Sequence, residues 1–98
     1  MSDMLSELWA KSRGHVLARV AAIESAAVAS QAGTLSVEQR AAAESEAHKL
    51  AGVAGTFGYW DATELAREAE GLLAESVSDE GGRRLAAIAV LLKEQLEG

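Results

Sequence analysis

An all-α fold, an antiparallel up-down-up-down four-helix bundle, is what this chain of 98 residues predicts. Three observations carry that expectation. Alanine, leucine and glutamate dominate while aromatic and β-branched residues are sparse, a composition that favours helix. Apolar residues recur at helical spacing in four segments. Short glycine- and serine-bearing stretches separate the segments, and short connections make consecutive helices antiparallel neighbours. No proline interrupts any of them, and one domain over residues 1–98 suits the length.

The first helix is expected from about Met4 to about Ala32, with Leu5, Trp9, Val16, Val20, Ile23 and Ala27 on one stripe. Gly14 falls inside it, but the stripe stays in phase across the glycine, so one continuous helix is predicted. Gly33 ends it, as a glycine just past a helix commonly does. Ser36 and Gln39 have the capping-box spacing for a second helix from about Val37 to Phe57, whose core stripe is Ala43, Ala47, Leu50, Ala54 and Phe57. Gly58 caps its C-terminus. Asp61 and Glu64 form the next capping box, predicting a third helix from Ala62 to about Ser76 with Leu65, Ala69, Leu72 and Leu73 on its apolar face. "SVSDEGG" is the last turn, with Ser78 or Asp79 as cap. Leu85, Ile88, Leu92 and Leu96 then line the fourth helix.

Charge and composition exclude several classes of function. The formal net charge of −6 gives no basic patch for nucleic acid or for an anionic membrane surface. No apolar run is long enough to span a bilayer, and no basic-then-apolar leader opens the chain. With no cysteine there is neither disulfide nor thiolate metal site, which fits a reducing, cytoplasmic setting. "GVAGTFG" is not a nucleotide loop, because it lacks the Gly-Lys-Ser/Thr ending and no strand precedes it. An autokinase is therefore not expected.

The segment "HKLAGVAGTFG" puts Gly52, Gly55 and Gly58 into a helical pattern, although each interior glycine costs roughly 0.5–1 kcal/mol relative to alanine. At 100° per residue His48 lies roughly 140° from the centre of the core stripe, on the solvent side. Gly52 and Gly55 follow it one and two turns on, and Ala47 and Ala51 flank it with little bulk. The predicted consequence is access: a second protein can approach the imidazole closely.

His48, Leu50, Gly52 and Gly58 in "EAHKLAGVAGTFGY" resemble the motif of the histidine-containing phosphotransfer (HPt) domain. "AGTFGY" is similar to the phosphotransfer domain at the N-terminus of chemotaxis histidine kinases. The resemblance implies that His48 accepts a phosphoryl group and exchanges it with the aspartate of a response-regulator receiver domain or with a histidine kinase. Gly52 would leave room for the phosphoimidazole and the partner. A helix-three glutamate that hydrogen-bonds the ring in the chemotaxis subgroup falls by spacing on Glu70, and the helical wheel agrees by placing it at the flank of the apolar face. One departure bears on the rate and stability of the phosphorylated state: the family usually has lysine three residues after the histidine, where this chain has Ala51. Lys49 is a poor direct substitute, roughly 100° around the helix from His48. Arg67, one turn before Glu70, could supply the charge, and guanidinium suits phosphate.

The chemistry asks for little else. A neutral imidazole is nucleophilic near neutral pH, and a carboxylate on its other nitrogen fixes the tautomer. No cofactor is implied. A metal is expected on the receiver's side, since this chain has no carboxylate cluster at ligand spacing. His15 falls on the polar side of the first helix and takes no role, Trp9 is in phase with the core, and Trp60 sits at a turn where it could cover the bundle end. Two functional readings stay open. One is a phosphorelay intermediary without catalytic turnover of its own. The other is a helical interaction module whose histidine is unused and which binds a receiver or kinase without phosphotransfer.

Overall fold

A computed structural model describes residues 2–97 of the chain. Four helices follow one another: α1 (Ser2–Gln31), α2 (Val37–Thr56), α3 (Trp60–Leu73) and α4 (Asp79–Glu97). Each packs against its neighbours in the chain, and α4 closes the ring against α1. Val16, Val20, Ile23, Leu50, Leu73, Leu85, Ile88 and Leu92 are the largest side chains fully buried between them. Each contributes roughly 1.5–3 kcal/mol of transfer free energy.

The turns explain why the helices end where they do. Beyond α1, Gly33 takes φ 73°, its amide bonds the Ser30 carbonyl, and the Thr34 amide bonds the Ala29 carbonyl. Beyond α2 the same pair of bonds recurs, Gly58 (φ 81°) to Gly55 and Tyr59 to Ala54. Both are Schellman closures, which need a residue at ease in the left-handed region. Ser36 caps α2 through a 3.0 Å bond from the Gln39 amide, and Ser78 caps α4 through a 3.0 Å bond from Gly81.

Helix three departs from the sequence expectation. The Asp61–Glu64 capping box does not form, because the closure of α2 leaves Tyr59 as N-cap, its carbonyl accepting from the Thr63 amide. Asp61 therefore lies inside the first turn, where its charge complements the helix dipole. At the other end α3 stops at Leu73 rather than near Ser76, and the Arg40 guanidinium donates to the Leu73 carbonyl at 2.8 Å.

Leu5, expected in the core stripe, is 47% exposed. The reason is length. Thirty residues of α1 extend about 45 Å, against 20, 14 and 19 residues in the other helices. Arg13 already meets the Glu97 carbonyl at the end of α4, so the turns before it overhang the bundle. Trp9 is half-buried there, 5.1 Å from the Phe57 ring and 4.9 Å from Tyr59. Trp60 does not cover the bundle end; it is 69% exposed on the first turn of α3.

Candidate functional site

The site lies where α2 and α3 run side by side. This seam is built from small residues: Ala43, Ala47, Ala51 and Ala54 on α2 and Ala62, Ala66 and Ala69 on α3 are all buried. Short side chains let the two backbones approach, so that a side chain on the flank of one helix reaches the flank of the other. His48 stands on the outer edge of the seam with its side chain 74% exposed. Its Nδ1 lies 3.0 Å from Oε2 of Glu70, whose carboxylate is partly sheltered.

That contact sets the chemistry of the ring. An ionised carboxylate can only accept, so Nδ1 carries the proton and donates it to Glu70. In the neutral ring Nε2 is then the unprotonated nitrogen, with its lone pair on the side of the ring away from Glu70. A neutral imidazole held in one tautomer by a carboxylate is an oriented nucleophile.

The two glycines beside the ring differ in their surroundings. A Cβ built at Gly52 meets nothing within 4 Å, so this glycine leaves open space one turn from His48. At Gly55 a Cβ would lie 3.4 Å from Thr63 Oγ1 and 3.7 Å from the Trp60 ring. Gly55 thus faces α3, where open access beside the imidazole had been expected. Ala47 is fully buried, as its place in the core stripe predicts, while Ala51, expected beside the ring on the surface, belongs instead to the core at 7% exposed. The cause is the small-residue seam itself: α3 comes close enough to cover the Ala51 methyl group.

The cations are held elsewhere in this arrangement. Lys49 pairs with Glu46 at 3.8 Å, and Glu46 is also taken by Arg19 of α1 at 3.0 Å, so Lys49 sits on the α1 side of α2. Arg67 is exposed and pairs with Glu64 one turn back at 3.5 Å. Ion pairs this exposed hold a side chain loosely, at roughly 0–1 kcal/mol, and yield it to a better anion. His15 is exposed on α1.

One residue of the seam had no signal in the sequence reading. Thr63 is the one buried polar side chain among the described residues, and its hydroxyl donates to the Ala51 carbonyl at 3.2 Å. Its position seven residues before Glu70, on the same face of α3, could have drawn attention to it. Among the described residues no cluster of His, Asp or Glu is placed to hold a metal ion, and no helix is long and apolar enough to cross a membrane.

Comparison with known proteins gives one match. Residues 3–98 fit the family model described as the Hpt domain, which covers essentially the whole chain. No curated protein and no solved structure gives a significant match.

Proposed function

Because the chain belongs to the Hpt domain family, and so is a phosphotransfer module of two-component signalling, we propose that His48 is its phosphoryl-accepting residue. Nε2 attacks the phosphorus of an aspartyl phosphate on a receiver domain. The N–P bond forms as the bond from phosphorus to the aspartyl oxygen breaks, and the carboxylate leaves with the electron pair. Throughout, the Nδ1 proton stays in its bond to Glu70, which offsets the positive charge that develops on the ring. The reverse sequence returns the group to an aspartate, and a histidine kinase is the other donor that fits.

The observation that carries this reading is the His48–Glu70 contact on an exposed ring, with open space at Gly52 beside it. Incubation with a phosphorylated receiver is the test. Wild type and His15→Gln should take up label, and His48→Gln should take up none while keeping the helical circular dichroism of the wild type. Label persisting in His48→Gln would refute the assignment. A wild-type domain that binds the receiver yet never takes label would instead establish the interaction-only module.

Arg67 is proposed as the cation that steadies the phosphate in place of the lysine absent at Ala51. It lies one turn from Glu70 on a flexible stem and pairs with Glu64. Arg67→Ala should therefore shorten the lifetime of the phosphorylated form by about tenfold, the scale of one charge-assisted hydrogen bond, while leaving stability near wild type. Lys49→Ala, on the α1 side, should change it less. Equal effects from the two variants, measured by the decay of label, would remove Arg67 from this role.

A further inference from the structure

The α2–α3 seam shows what holds Glu70 opposite His48. Gly55 lies seven residues after His48 on α2, and Thr63 lies seven residues before Glu70 on α3. On antiparallel helices, equal steps in opposite senses stay level, here after about 10.5 Å. The Gly55–Thr63 approach and the His48–Glu70 contact are thus two rungs of one register, about two turns apart. Between them the Thr63 hydroxyl reaches the Ala51 carbonyl.

We infer that Thr63 is a positioning residue for His48: its buried hydrogen bond to Ala51, made beside Gly55, sets the register of α3 on α2 and thereby the reach of Glu70. Three features single it out. Thr63 is 4% exposed in a seam otherwise lined by apolar side chains, and its hydrogen bond ties two named atoms across that seam. Oγ1 lies against α2 beside Gly55, where a Cβ would already stand in contact with it at 3.4 Å and a larger side chain would not fit without a shift. The far end of the seam is tied by a long, adaptable arginine, Arg40 to the Leu73 carbonyl, which tolerates a shift that a threonine does not.

The inference rests on Glu70 holding the ring, so the first readout is the ring itself rather than phosphorylation. The ¹⁵N shifts of His48 Nδ1 and Nε2 report the tautomer. Thr63→Val keeps the shape and removes the donor, and it should move both shifts toward those of Glu70→Ala. Thr63→Ser keeps the donor and should restore the wild-type pattern. Gly55→Val sets its side chain against the Thr63 hydroxyl and should push α3 away from α2, acting like Thr63→Val, so a failure of either variant to fold leaves the other. Arg40→Met, which cuts the tie at the far end, should leave the ring shifts alone. Phosphorylation by a receiver should fall about two- to tenfold in Thr63→Val, the range of one lost hydrogen bond, and the Thr63→Val/Glu70→Ala double should be no slower than Glu70→Ala. Unchanged ring shifts in folded Thr63→Val, or equal shifts in Arg40→Met, would overturn the inference. If wild type takes no label but the ring shifts respond as stated, the phosphotransfer reading fails and the register inference stands.

Discussion

The two long seams of the bundle differ in the size of the residues they bury. On α1 and α4 the buried residues are mostly large, Val16, Val20 and Ile23 with Leu85, Ile88, Leu92 and Leu96, beside the small Ala26, Ala27 and Ala89 and a close approach at Gly82. Where α2 meets α3, they are mostly alanines, with Leu50, Thr63 and Leu73. The first seam supplies apolar area, which is what holds a small bundle together. The second contributes less area per residue but brings backbones close, which is what a polar contact of 3.0 Å between flanks requires. The candidate site thus sits on the half of the core that buries more of the small residues.

Exchange of large and small residues should break the two seams in different ways. Leu92→Ala removes bulk from the first seam and should lower the free energy of unfolding by about 2–5 kcal/mol. Ala66→Leu forces bulk into the second and should lower it by about 1–3 kcal/mol. Phosphorylation of folded protein should divide the pair the other way, near wild type for Leu92→Ala and slowed for Ala66→Leu. Denaturant titrations with label uptake on the same samples check both, and a slower Leu92→Ala would mean that the seams are not separable.

A smaller effect is expected at Gly52, which contributes to neither seam. Gly52→Leu relieves up to about 1 kcal/mol of helix propensity and meets no neighbour, so stability should hold or rise slightly. Transfer from a receiver should nonetheless slow, because the new side chain stands beside the ring. Wild-type transfer with raised stability would show that the open space has no use.

The smallest effect belongs to the α3–α4 surface, where Arg84 forks onto both oxygens of Glu68 at 2.6 and 2.8 Å. That hydrogen bond holds the Glu68 carboxyl below its ordinary range, outweighing the opposing effect of partial burial. A lowered value in the folded state means that the stabilisation is present above the ordinary carboxylate range and is lost as pH falls through the lowered value. Glu68→Gln should therefore melt slightly below wild type at pH 7, and the gap should close in acid. Both residues are well exposed, so the gap is small. A gap that widens in acid would contradict the sign.

How much of this the sequence disclosed follows from what each feature depends on. Helix number, the two glycine closures and the α4 stripe depend on local chemistry and period, and they were legible. So was the outward direction of His48, which needs only the angle between it and the core residues of its own helix. The start of α3 was not, because a capping box is a local signal and the Schellman closure at Gly58 overrode it. Leu5 kept phase with the core but outran it, since periodicity carries no information on the length of the partner helices. Ala51, Gly55 and Thr63 were misread or missed for one reason: each answers to α3 lying close against α2, a fact that no single helix contains.

The two tryptophans divide the spectroscopy of the molecule. Trp9 is packed between Phe57 and Tyr59, where the overhang of α1 meets the α2–α3 turn, so its emission follows the docking of that overhang. Trp60 stands in solvent against Gly55, on the same side of α2 as His48. Were a partner to dock over His48 as proposed and reach Trp60, the indole would lose water and its emission would move to shorter wavelength, with Trp9 left unchanged.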